Sequence, residues 1–169
     1  MDNLRLRNLR DDDFEAFHAL NSDYDVVKMV ASWPYPSDPV FTRMRMNTPE
    51  AQAGLVSVIE CNGQLAGTIG GVRGGLGYML AKTFWGRGIA TWAVGQKLKE
   101  AFSVHKWEIV KAGTWNDNPA SAAVLLKNGF TVVGQSVGYC KARDCEVEAT
   151  DYEIFRHEWL KHQTSTGTA

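Results

Sequence analysis

Leu4 and Leu6 alternate with Arg5 and Arg7, the period-two signature of a half-buried strand. Asp11, Asp12 and Asp13 then supply capping and first-turn acids to a helix through Phe14, Phe17 and Leu20. Residues 26–30 read as a second helical stretch. The run Trp33, Pro34, Tyr35, Pro36 cannot continue it, because each proline pushes the preceding residue into extended geometry. Residues 41–46 predict another short helix. From Gly54 the spacing becomes that of strands. Residues 55–61 form one, Asn62-Gly63 is a two-residue hairpin signal, and residues 65–72 return as its partner. Gly70-Gly71 and Gly74-Gly75 mark a bulge or loop before the next strand, at 76–81.

Ala90, Val94, Leu98 and Ala101 share one face of a helix over about residues 88–102. Residues 107–115 are largely apolar and predict a central strand. The best-punctuated helix follows, with Asn118 at the N-cap, Pro119 at the first helical position, Ala122, Leu125 and Leu126 on its buried stripe, and Gly129 at its C-terminal cap. Residues 130–134 and 150–157 predict the closing strands. This order predicts a mixed sheet with helices packed on it, and residues 161–169 read as a disordered tail behind a domain at 1–160.

The chain has 169 residues, 44% of them apolar, which fits one soluble domain with a core of its own. Lys and Arg number 18 against 19 Asp and Glu, so no bulk charge argues for nucleic acid or an anionic membrane as partner. Cys61, Cys140 and Cys145 form no C-x-x-C pair, have no clustered histidines, and predict free thiols and no metal site. No signal peptide or membrane-spanning run is visible, so a cytoplasmic location is expected.

Two constellations could carry chemistry. Trp85, Gly86, Arg87, Gly88, Ile89 and Ala90 join a strand to an amphipathic helix. Two glycines there let successive amides point at one spot, and the helix N-terminus adds its positive end, which together would cradle a phosphate. The same glycines also suit a plain tight turn. No Gly-Lys-Ser/Thr follows, and Thr91 stands where a third dinucleotide-loop glycine would be, so neither a Walker loop nor a Rossmann fingerprint is present. The second is Asn118-Pro119-Ala120-Ser121 ahead of residues 125–130. Asn118 reads first as an N-cap, and Ser121 could satisfy an amide or present its hydroxyl to a bound group.

Together these blocks resemble the GNAT superfamily of N-acetyltransferases, and most closely its RimJ/RimL-like branch. Phe84-Trp85-Gly86-Arg87-Gly88-Ile89-Ala90-Thr91, Asn118-Pro119-Ala120-Ser121 and Leu125-Leu126-Lys127-Asn128-Gly129-Phe130 match that branch's blocks in order. Trp85-x-x-Gly88-x-Ala90 occupies the place of the family's acetyl-CoA loop. Trp92 departs from the branch, which commonly has Glu there. The strand region 65–81 holds no Asp or Glu where some members keep a general base, and Glu60 is the nearest carboxylate.

The resemblance implies a single α/β domain with a mixed, mostly antiparallel twisted sheet and helices on both faces. It implies acetyl transfer from acetyl-CoA, as co-substrate, to a primary amine: a peptide N-terminus or a small molecule. The pantetheine would lie along Met79, Leu80 and Ala81. The pyrophosphate would rest on the amides of Gly86, Arg87, Gly88, Ile89 and Ala90, with Trp85 and Thr91 flanking them. Asn118 and Ser121 would sit near the thioester sulfur, Ser121 donating to the departing thiolate. Trp33 and Tyr35, with Tyr24 and Phe41, fall in the branch's acceptor wall, and Asp23 and Asp25 could attract a cationic amine. His18 reads as a rim histidine. Such a protein would act as a monomer or homodimer. The alternatives are a silent acyl-CoA-binding domain and a nucleotide-binding module on the 86–90 cradle.

Overall fold

The computed structural model describes residues 2–71 and 75–166. Val72 and Gly74, called above as strand end and loop, lie outside them, as do 167–169 of the expected tail. Leu4–Asn8 (β1) pairs antiparallel with Val56–Cys61 (β2), placing Leu6 opposite Ile59. Asn62 and Gly63 both adopt positive φ, 52° and 82°, the conformation a type I′ hairpin needs. That turn sends the chain back as Gln64–Gly70 (β3), which pairs with Gly75–Leu80 (β4).

Beyond β4, the sheet changes character. Ile109–Trp115 (β5) lies parallel to β4, but only Gly75↔Lys111 and Leu76↔Ala112 are in register. Cys145–Phe155 (β7) then pairs antiparallel with β5, and Thr131–Cys140 (β6) pairs with β7 at the edge. The seven strands therefore run β1-β2-β3-β4-β5-β7-β6, antiparallel except at the β4/β5 junction.

Helices cover both faces. Phe14–Asn21 (α1), Tyr24–Val27 (α2) and Pro39–Met46 (α3) pack Phe17, Val26, Val27, Trp33 and Met46 over Met79. Asp23 and Asp38 cap α2 and α3 by accepting from Asp25 N and Val40 N. Pro49–Gln52 (α4) is capped by Thr48. On the other face Ile89–Ser103 (α5), Pro119–Lys127 (α6) and Arg156–Thr166 (α7) bury Ile89, Val94, Leu98, Phe102, Leu125 and Trp159 against the sheet.

The predicted elements recur, but the helix expected at 26–30 lies at Tyr24–Val27, α4 was not expected, and the C-terminal strands differ. The strand expected at 130–134 extends to Cys140, and the one expected from 150 begins at Cys145. Most β6 residues are exposed, with Cys140 buried at the end, so no continuous buried face imposes apolar alternation on that stretch. The last strand ends at Phe155 and α7 takes over, bringing Trp159 to 5.4 Å from Phe102 and running through Thr166.

The outward arginines of β1 converge on Glu60. Arg5 Nε and Arg7 Nε each donate to it at 2.6 Å, and Arg7 also forks onto Asp13 at 2.7 Å. The bonds from Arg5, then Arg7, hold the Glu60 carboxyl down at about 2. A carboxyl depressed in the folded state stabilises it above its ordinary value of 4.5, and that contribution drains as pH falls toward about 2. The urea midpoint should therefore drop through that window in the native protein and much less in Glu60→Gln. Equal acid sensitivity in both would contradict this assignment.

Candidate active site

The site begins where β4 and β5 part. After Leu76↔Ala112 no further pair joins them, so Gly77 to Leu80 and Gly113 to Trp115 form the two arms of an open fork. Ala81 N donates back to Ala66 O at 2.9 Å, toward β3. By strand alternation the amides of Tyr78 and Leu80 face the other way, into the fork. Trp85 Nε1 donates to Leu80 O at 2.8 Å, which ties the following loop to this arm.

A cavity of about 480 Å³ lies on the α5/α6 side of the fork. Met79, Leu80, Trp85, Gly86, Gly88, Ile89, Ala90 and Thr91 line it, joined by Asn118 and Ser121. Two residues of the expected set are not in the lining. Ala81 spends its amide on β3, and Arg87 turns its side chain onto Asp2 (2.6 Å) and over the Phe84 ring (5.3 Å). Gly86 and Gly88 stand at φ +72° and +75°, where an L side chain is strained, and a Cβ at either would meet nothing within 4 Å. The first helical bond of α5 runs from Trp92 N to Gly88 O (3.0 Å), so the amides of Ile89, Ala90 and Thr91 precede it. The loop is an open nest at the positive end of a 15-residue helix, which fits an anionic diphosphate.

The second block sits at the mouth of the same cavity. Asn118 Oδ1 accepts from Ser121 N at 3.1 Å, so Asn118 is the N-cap and its carbonyl is committed to the helix. Asn118→Ala should cost about 1 kcal/mol of stability in a urea titration, and an unchanged midpoint would contradict the cap. The Ser121 hydroxyl is not a cap. It lies 2.7 Å from the Tyr78 hydroxyl, and Tyr78 also donates to Ser121 O at 3.1 Å. Burial pushes the Tyr78 phenol up to about 12, with the Ser121 bond opposing it, so it stays protonated at neutral pH. Tyr78 was absent from the residues singled out in the sequence, although it directly precedes Met79 in the strand expected along the pantetheine.

A second cavity, of about 660 Å³, meets the first at Met29, Val30, Tyr78, Met79 and Ser121. Its walls are mainly apolar, with Phe17, Trp33, Val56, Ile69 and Trp115 among them, and among the described residues its charged side chains are Arg45, Glu50 and Asp151. Trp33 is 6% exposed, packs edge-on against Phe17 and Phe41, and lines the cavity. Tyr35 does not reach it. That ring is 47% exposed and lies against Tyr24 at 5.0 Å.

The remaining candidates lie elsewhere. Asp25 is held at about 2 by Lys28 and then Lys82, and Asp23 caps α2. Glu60 faces its two arginines and lines neither cavity. His18 stacks on Phe14 and bonds Thr42. Glu50 and Asp151 carry no signal in the sequence, because only the register of β7 and the packing of α4 bring them to this cavity. Among the described residues there is no cluster of metal-ligating side chains and no helix long and apolar enough to cross a membrane.

The family model described as an acetyltransferase (GNAT) domain matches residues 3–131. No curated protein sequence matches the chain. Among solved structures, the fold is similar to a GNAT-family acetyltransferase from Bacillus anthracis, with a TM-score of 0.79 at 22% identity over 92% of this chain and 96% of that one. It is similar to RimL, a ribosomal L7/L12 alpha-N-protein acetyltransferase in complex with coenzyme A, with a TM-score of 0.78 at 21% identity over 90% and 93%. It is also similar to the spermidine N-acetyltransferase of Vibrio cholerae in complex with CoA and spermine, with a TM-score of 0.75 at 16% identity over 93% and 98%. At these identities the likeness is one of fold.

Proposed function

The chain belongs to the GNAT family of acetyl-CoA-dependent N-acetyltransferases, and on that premise we propose that it transfers acetyl directly to a primary amine at the β4/β5 fork. The observation that supports this reading most is the meeting of two cavities at the Tyr78–Ser121 pair. One has a nest for a diphosphate at its far end, and the other has apolar walls and acids for an amine. The acceptor is a small-molecule amine or a peptide N-terminus.

In this reading Gly86, Gly88 and the first amides of α5 hold the diphosphate. The fork-facing amides of Tyr78 and Leu80 bind the pantetheine arm as a further strand would. The amine attacks as the neutral base, forming the C–N bond while the C–S bond breaks. The Tyr78 hydroxyl, with its hydrogen shared toward Ser121, holds the serine hydroxyl in place, and Ser121 turns its own hydrogen to the departing thiolate as charge develops there. A phenol held at about 12 is about 3.5 pH units less acidic than an ordinary thiol at about 8.5, so full proton transfer from Tyr78 would be uphill by roughly 5 kcal/mol. The pair therefore stabilises charge by hydrogen bonding; the attacking nitrogen releases its extra proton to water, and the thiolate takes one from water, leaving amide and free CoA thiol.

No carboxylate lies on the arm of β4 to act as base there, so the supply of neutral amine sets the acid limb. The rate should rise from neutral to alkaline pH, and an acceptor of lower amine pKa should move the rise toward acid. A profile that falls above pH 7 with an acceptor still protonated there would contradict this. Release of free CoA thiol across a panel of primary amines tests the function as a whole. Amine-dependent release supports acetyl transfer; tight acetyl-CoA binding with no release by any amine would make the domain a silent binder.

A further inference from the structure

We propose, resting on the acetyltransferase reading, that Asp151 is the docking point at which the acceptor's ammonium group is first held, its proton passing to water before the neutral amine attacks, and that the acceptor is a singly charged amine with an apolar or aromatic body. Four observations converge on this carboxylate. Asp151 lines the 660 Å³ cavity. It is in register with Gly113, one residue past Ala112, where the β4/β5 pairing ends. On β7, the strand beyond β5, it therefore lies level with the point where the fork opens and lines the second cavity.

Its flanks are also open. The residues opposite it are glycines on both neighbouring strands, Gly113 on β5 and Gly134 on β6. A Cβ at Gly113 would come 3.6 Å from Asp151 Oδ1, and one at Gly134 would come 4.0 Å from Oδ2. A Cβ at either position would already be in van der Waals contact with the carboxylate, so a branched side chain there would reach over it.

Finally, its charge is not neutralised. Ser136, a neutral donor, bonds Oδ1 at 3.0 Å, and among the described residues no basic side chain pairs with it. By contrast Asp13, Asp25, Glu60 and Asp117 each carry a Lys or Arg partner. A carboxylate bonded by a neutral hydroxyl and lining a mainly apolar cavity favours an incoming cation. The walls, Trp33 and Trp115 among them, match an apolar body. Arg45, held over the Trp33 ring at 5.2 Å, adds a positive charge to the same lining and disfavours polycations. Glu50 belongs to the four-residue α4, whose position the β4/β5 register does not fix.

The test compares 2-phenylethylammonium with its uncharged counterpart 2-phenylethanol, followed at neutral pH by the fluorescence of the cavity tryptophans. The native protein should bind the ammonium about tenfold more tightly or better, the size of one charge-assisted hydrogen bond. Asp151→Asn should bring the two ligands to within about twofold of each other while binding 2-phenylethanol as before. Gly113→Val, which a strand accommodates, should do the same by crowding the carboxylate, and it serves if the asparagine variant fails to fold. Spermidine should bind more weakly than 2-phenylethylammonium.

The assignment is overturned if the native protein shows no preference for the ammonium or binds neither ligand. It is equally overturned if Asp151→Asn keeps the preference, or if Glu50→Gln abolishes it while Asp151→Asn does not. CoA release with the amine panel is scored separately. Release with an unchanged preference in Asp151→Asn removes only the docking point, whereas no release with any amine removes the acetyltransferase reading itself.

Discussion

Alanine in place of Ser121 should lower kcat and kcat/KM together by about 10²-fold, roughly 3 kcal/mol, with little change in acetyl-CoA affinity. The size follows from one donor acting in a preorganised, partly dry site on charge that appears only as the C–S bond breaks. The structure removes the main competing explanation. Asn118, not the Ser121 side chain, caps α6, and the bond from Ser121 N to Asn118 Oδ1 survives the substitution. The stability cost should stay near the ~1 kcal/mol of a single lost hydrogen bond, that to Tyr78. Tyr78→Phe should lower kcat less, because it leaves the Ser121 hydroxyl in place and removes only the group that orients it. Near-normal turnover per folded molecule in Ser121→Ala would return this serine to a packing role. A variant that lost acetyl-CoA affinity in proportion to rate would show that its contribution is to binding.

Valine at Gly88 should weaken CoA binding by about 10²-fold or more while most of the protein remains folded. At φ +75° a β-branched residue pays ~1–2 kcal/mol or leaves that conformation. If it leaves, the amides of the nest no longer converge, and each charge-assisted bond to the diphosphate is worth about 1.5–3 kcal/mol. If it stays, the branched side chain stands in space that no protein atom fills within 4 Å of the Cβ. Gly88→Ala separates the two effects, since it keeps most of the backbone strain with less bulk. Isothermal titration with free CoA on the folded fraction gives both numbers. An unchanged dissociation constant in Gly88→Val would remove the cradle.

The two blocks nearest the chemistry were legible because their signals are local. A glycine pair before an amphipathic helix predicts an amide nest, and Asn-Pro predicts a capped helix start; both elements stand where the spacing puts them. The Asn62-Gly63 hairpin is equally local. What the sequence hides is pairing at a distance. The fork exists because β4 and β5 stop pairing after two residues, and nothing in residues 76–81 or 107–115 announces that. Tyr78 meets Ser121 across 43 positions, and Asp151 reaches the fork only through the β5/β7 register. The β6–β7 hairpin is likewise faint, since an exposed edge strand needs no apolar rhythm. Tyr35 and Asp25 show the converse. Their residue types suit an amine site, yet one lies exposed against the Tyr24 ring and the other is tied to two lysines.

Direct transfer at the fork is tested most directly by following an isotope-labelled acetyl group from acetyl-CoA by mass spectrometry, with and without a primary amine. The label should leave the thioester only when the amine is present. It should appear entirely as the acetamide, matched one for one by free CoA, and intact protein should carry none. Label on the protein, or thioester consumed with no amide formed, would contradict the mechanism.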